Sequence, residues 1–157
     1  MKFHNISVLK NDHTKQRRGF TLIEVLISLS ILTILLGLSV PFVLNFYERY
    51  QIDSERAKFV SLLRQARTMS LGGEGSADHG MYISGTQFTV YEGANYATRN
   101  TAKDQTSERE TNVDITGPTE ATFAYLTGTT ASQSFILDNR VKQNTIHVNT
   151  EGTIDWQ

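Results

Sequence analysis

Residues 17–44, RRGFTLIEVLISLSILTILLGLSVPFVL, constrain this chain more than any other segment. Two arginines and a glycine abut a run of 25 residues, Phe20 to Leu44, whose one charge is Glu24. A run of that length spans a bilayer as a helix, since roughly 20 apolar residues cross the ~30 Å hydrocarbon core. A carboxylate near its start is costly. An acid at mid-membrane depth is unfavourable by about 2.5–3.5 kcal/mol on insertion scales, which makes an intramembrane acid a functional candidate by default. The alternative is a plain anchor that tolerates an acid near its end.

Charge sets the orientation of such a run. Residues 1–19 carry Lys2, Lys10, Lys15, Arg17 and Arg18 against Asp12, a net +4 with histidine neutral. The whole-chain charge of −1 therefore leaves −5 on residues 20–157. A basic segment before an apolar run holds the N-terminus on the cytoplasmic side, so the remainder is expected outside the cytoplasmic membrane. An ordinary secretory signal is rejected, because its apolar region has about 7–15 residues and ends in a small-x-small cleavage site. Here the run is far longer, and Val43-Leu44-Asn45-Phe46-Tyr47 offers no such site. The chain has no cysteine, which excludes disulfides, thiolate metal sites and cysteine nucleophiles.

Gly19-Phe20-Thr21-Leu22-Ile23-Glu24 resembles the cleavage and methylation site of type IV prepilins and type II secretion pseudopilins. The resemblance covers residues 17–41 and implies a cut between Gly19 and Phe20 by a prepilin peptidase, with Phe20 as the methylated mature N-terminus. It also implies that Glu24 pairs with the N-terminal amine of a neighbouring subunit, and that Pro41 occupies a position where such helices commonly carry proline. The physical logic is independent of the family. A lone amine and a lone carboxylate in lipid are both expensive, and bringing them together across two helices relieves both. Glu24 projects sideways about one turn above the terminus, so the pair favours docking one subunit out of register with the next.

The helical pattern continues beyond the apolar run. From Asn45 to Leu71 there is neither glycine nor proline, and Ile52, Phe59, Val60, Leu63 and Ala66 line one helical face. Gly72-Gly73 is expected to end the helix. Pro41, with Gly37 nearby, is expected to bend or locally unwind the first half.

After the helix come short alternating runs separated by turn residues. Met81–Ile83 and Phe88–Tyr91 read as a hairpin, as do Thr145–Asn149 and Thr153–Trp156 around Glu151-Gly152. Val113–Ile115, Thr122–Leu126 and Ser134–Leu137 read as further strands, giving six or seven in all. The polar segment Gly93–Asn112 reads as a mobile surface loop. The expected fold is α+β, a long N-terminal helix on a small antiparallel sheet or sandwich. Its expected parts are a leader over residues 1–19, a membrane and filament-core helix over 20–44, an amphipathic continuation over 45–72 and an extracytoplasmic β-rich domain over 73–157.

Glu55–Arg67 followed by Gly72-Gly73 resembles the helix end of H-type minor pseudopilins and FimT-type minor pilins, whose β-rich domains also end in a glycine-containing hairpin. That likeness implies a minor pilin or pseudopilin subunit in the cytoplasmic membrane and then in a filament. Its partners would be a prepilin peptidase, other pilins, an assembly ATPase and a membrane platform.

No enzyme chemistry is legible. His4 and His13 leave with the leader, His147 alternates with Ile146 and Val148 as a surface strand position, and Asp78-His79-Gly80 reads as turn chemistry. Asp138-Asn139 and Asp155 are too sparse for a calcium loop, so neither metal nor cofactor is expected. The alternative function is a DNA-binding minor pilin of an uptake pilus. Arg99, Lys103, Arg109, Arg140 and Lys142 could form a basic patch there, with Tyr91, Tyr96 or Trp156 stacking on bases. Asp104, Glu108 and Glu110 interleave with those cations, which favours an ordinary mixed-charge surface.

Overall fold

A computed structural model describes residues 19–157, and of residues 38–45 the backbone alone. Two compact units meet at Val40 and Pro41. The expected leader before Gly19 lies outside the described residues, as does the geometry of the bend expected at Pro41. One helix, α1, is assigned over Leu22–Leu71.

In the first unit, Leu22, Ile23, Val25, Leu26, Ile27, Leu29 and the apolar residues up to Leu36 are all exposed, on every side of the helix. Two of the hydroxyls in this stretch are satisfied internally. Ser30 Oγ donates to the Leu26 carbonyl and Thr33 Oγ1 to the Leu29 carbonyl, both at 2.8 Å. Such back-bonding lets serine and threonine sit in an apolar helix without an orphaned donor. Among the described residues, no helix is long and apolar enough to cross a membrane.

In the second unit, eight strands form two antiparallel sheets: β1 His79–Ile83, β2 Gln87–Glu92, β3 Gln105–Glu108, β4 Asp114–Thr116, β5 Glu120–Phe123, β6 Gln133–Asp138, β7 Gln143–Val148 and β8 Ile154–Trp156. The orders are β3-β2-β1-β5 and β4-β6-β7-β8. Both expected hairpins are present, with Met81 opposite Val90 and Val148 opposite Ile154. The helical face read from the sequence is the buried one: Ile52, Phe59, Val60, Leu63 and Ala66 all lie in the core. Phe59 joins the layers, its ring meeting Phe88 of one sheet edge-on at 5.4 Å and Phe135 of the other at 5.1 Å. Helix α1 ends as expected. The Gly72 N–H bonds the Thr68 carbonyl at 2.8 Å, and Gly73 takes the left-handed conformation (φ 67°) that glycine adopts without a Cβ penalty.

Gly93–Asn112 corrects the expectation of a mobile loop. Its first part folds over the outer face of the first sheet, where the Tyr96 ring stacks on Tyr82 at 3.7 Å and meets Tyr91 edge-on. Its second part forms β3, paired to β2, and runs antiparallel to α1. Four helix side chains at one-turn and two-turn spacings grip it: Gln51 accepts from Asn112, Glu55 from the Glu110 N–H, Lys58 donates to the Glu108 carbonyl, and Gln65 donates to Gln105. Glu55 is fully buried, with Lys58 at 3.1 Å. A buried carboxylate needs such partners. The sequence hides this arrangement because the loop supplies polar backbone groups rather than an apolar pattern.

His79 is a second correction. It is a buried residue of β1 and not a turn. Its N–H bonds Ser70 Oγ at 2.9 Å, and Ser70 in turn donates to the Phe123 carbonyl, so the two residues tie the end of α1 to the first sheet. Glu92 stands 4.0 Å from its ring. His147 is exposed on β7, as expected, and hydrogen-bonds Ser134 at 3.0 Å.

Gly80 is required by a neighbour. Cross-strand from Tyr91 on one side and Thr122 on the other, it lets the Tyr91 ring pass over β1, and the phenol reaches Thr122 at 2.6 Å and Glu120 at 3.0 Å. Burial pushes the Tyr91 phenol pKa well up, so it stays protonated and can donate. A Cβ on Gly80 would collide with that phenol and approach the Ala121 carbonyl to 2.8 Å. Gly80→Ala is therefore expected to destabilise the chain by about 2–4 kcal/mol, from overpacking plus lost buried hydrogen bonds. Urea unfolding in detergent checks this, as a lower midpoint at an unchanged slope.

Candidate functional site

Gly19, Phe20 and Glu24 lie at the head of α1. Gly19 is not needed by the fold. A Cβ built on it meets nothing within 4 Å, and its backbone is not among those at positive φ. Phe20 follows with its side chain almost wholly exposed.

Thr21 starts the helix. Its Oγ1 accepts from the Glu24 N–H at 3.3 Å, and its carbonyl accepts from the Val25 N–H at 3.2 Å. Thr21-x-x-Glu24 before an apolar run is the pattern of a capping box, a signal passed over when the segment is read for apolar length. Half of that box forms. Among the described residues, the reciprocal bond from the Thr21 N–H to the Glu24 carboxylate is not made, and Glu24 has no ion-pair partner. The acid is therefore not consumed by local capping.

Around it the helix surface carries a shallow groove. Phe20, Glu24, Ser28 and Leu32 lie one turn apart along one side, and Val25 and Leu29 run beside them. Together they bound a groove with Ser28 as its smallest member. Rows spaced i, i+4 are the ridges and grooves by which helices interlock. Glu24 offers the groove its one charge.

Residues 14–40 match the model of the prokaryotic N-terminal methylation motif. The match gives this chain a type IV pilin-like N-terminus, and it contains Gly19, Phe20 and Glu24 and stops one residue short of Pro41. No curated protein and no solved structure matches the chain. The methylation motif thus ends at the boundary between the two units, and the sheet domain beyond it is known by its architecture alone.

Three of the five cations considered for nucleic acid, Arg99, Arg109 and Lys142, have partners within the domain. Arg99 Nε binds Asp104 at 2.8 Å while its guanidinium lies 3.7 Å over the Tyr96 ring. Arg109 donates to the Ser84 and Val113 carbonyls, and Lys142 pairs with Asp53 at 2.6 Å. Tyr91 is buried and Tyr96 is stacked within its own domain. Trp156 is partly exposed, with Arg64 5.1 Å and Arg56 6.0 Å from its ring centre. Among the described residues no group of histidine, aspartate and glutamate is placed to hold a metal ion.

Proposed function

We propose that this chain is a minor pilin or pseudopilin subunit, without enzymatic activity, that is cut between Gly19 and Phe20 and methylated on Phe20. It is held in the cytoplasmic membrane by the helix of residues 20–44, with its N-terminus inside. It then enters a pilus or pseudopilus through helix packing, with other pilins, an assembly ATPase and a membrane platform as partners. The single observation that carries this reading is the Glu24 carboxylate within the methylation motif, without an ion-pair partner among the described residues, on a helix whose large apolar side chains are exposed on every side. Such a surface is stable in lipid or among other helices and not in water. An H-type or FimT-type identity rests on the likeness of residues 55–73 and of the closing hairpin. DNA uptake is the weaker reading, because Arg99, Arg109 and Lys142 are already engaged.

Mass spectrometry of the chain purified from cells with a prepilin peptidase tests the proposal. The expected product runs from a methylated Phe20. An intact Met1 terminus in those cells would overturn it.

A further inference from the structure

We propose that Phe46, Tyr47, Arg49 and Tyr50 form an interfacial belt that seats in the headgroup layer of a phospholipid bilayer. This inference rests on the membrane-held reading above and adds a specific lipid-contacting surface to it. The globular unit buries aromatic rings readily, and Phe59, Phe88, Phe123 and Phe135 are each fully enclosed. Phe46, Tyr47 and Tyr50, within little more than one helical turn, are left 72%, 58% and 63% exposed. Beyond them the exposed side of α1 reads Ser54, Ala57, Ser61, Arg64 and Thr68, small or polar residues one turn apart, and the next exposed large apolar side chain is Leu71. The aromatic band is therefore narrow, and it lies immediately after the apolar run.

Its chemistry is that of an interface rather than of a hydrocarbon core or a dry protein contact. The large apolar residues exposed from Leu22 to Leu36 are all aliphatic, suited to acyl chains. Tyrosine places an apolar ring beside a hydroxyl that needs water or a headgroup, which is why tyrosine gathers where a bilayer meets water. Arg49 is exposed and, among the described residues, makes no ion pair, so its guanidinium is available to lipid phosphate. Glu48, the one acid in the band, is half-buried beside a polar recess with Asn112, Asp114, Asn139 and Arg140, and its backbone carbonyl accepts from Asn139 at 2.6 Å. Spacing agrees as well: the helical part of the run, residues 22–44, rises about 34 Å, enough to cross ~30 Å of hydrocarbon and bring residue 46 to the far interface.

The test uses the full processed chain in vesicles of phosphatidylethanolamine and phosphatidylglycerol, with Trp156→Phe removing the native tryptophan. Tyr47→Trp then reports on the belt and Leu32→Trp on the middle of the run. The lipids are brominated either near the headgroup or near the acyl terminus. The expected result is that the Tyr47→Trp emission loses most of its intensity to the shallow quencher, and the Leu32→Trp emission to the deep one. If the Leu32→Trp probe is quenched and the Tyr47→Trp probe is not, the belt is refuted while the membrane reading stands. If neither is quenched, the membrane reading fails and the belt with it. A Tyr47→Trp emission that follows protein-to-lipid ratio, and is indifferent to bromination, would assign the aromatics to a second copy of the chain and overturn the proposal.

Discussion

Gly19→Ala is expected to leave the leader attached while leaving the fold untouched. The added methyl meets nothing within 4 Å, and the residue is not at positive φ, so neither packing nor backbone strain opposes alanine in the folded chain. A peptidase that draws the backbone close on both sides of the scissile bond has no such tolerance. A single methylene in a tight pocket is worth about 1–3 kcal/mol of discrimination, and cleavage is expected to slow by at least about tenfold. Two measurements belong together: the ratio of precursor to mature chain by mass spectrometry, and the urea midpoint of the precursor. Normal processing of the variant would refute Gly19 as the cleavage residue. Lost processing with a lowered midpoint would mean that the fold, and not the enzyme, requires glycine.

Glu24→Ala is expected to separate processing from assembly. Cleavage should proceed, since the scissile bond lies four residues away. The helix should also persist, because the cap uses the Glu24 backbone N–H, which alanine keeps, and alanine is the stronger helix former. What disappears is the one charge on the groove of Phe20, Ser28 and Leu32. If that carboxylate pairs with a neighbour's α-amine, its removal strands an ammonium in an apolar setting. Breaking a buried pair from one side costs about 3–5 kcal/mol, which is on the order of a hundredfold to a few thousandfold in association. The readout is the share of mature chain recovered in sheared filaments against the share left in membranes. Undiminished recovery in filaments would sink the register argument.

The methylation motif was legible because its signal is local. The basic residues, the glycine, the acid and the apolar run are neighbours in sequence, so the motif is recognised without reference to a fold. The same holds for the Ile52, Phe59, Leu63 and Ala66 face of α1, since helical periodicity projects directly onto burial. Two hairpins were legible for a similar reason, each having apolar alternation on both sides of a short turn.

The misread elements depend on partners distant in sequence. His79 reads as part of a turn beside Asp78 and Gly80, yet β2 and β5 flank its strand and enclose it. Gly93–Asn112 reads as a loop because it has few apolar residues. It is held instead by Glu55 and Lys58, and by Tyr96 stacking on Tyr82, contacts that no local pattern encodes. Arg99, Arg109 and Lys142 look available in sequence and are bound in space by Asp104, by backbone carbonyls and by Asp53.

The sequence by itself determined that the chain opens on a methylation motif, which residue carries the charge in its apolar run and which face of α1 is buried. Each of these follows from the spacing of residues along one segment. Tertiary structure alone decided that the polar excursion is part of the sheet domain, that Arg99, Arg109 and Lys142 are engaged within it, and that Phe46, Tyr47 and Tyr50 stay outside the core. Those outcomes turn on which distant groups meet, and a buried polar or charged group is stable only where a partner has been brought to it.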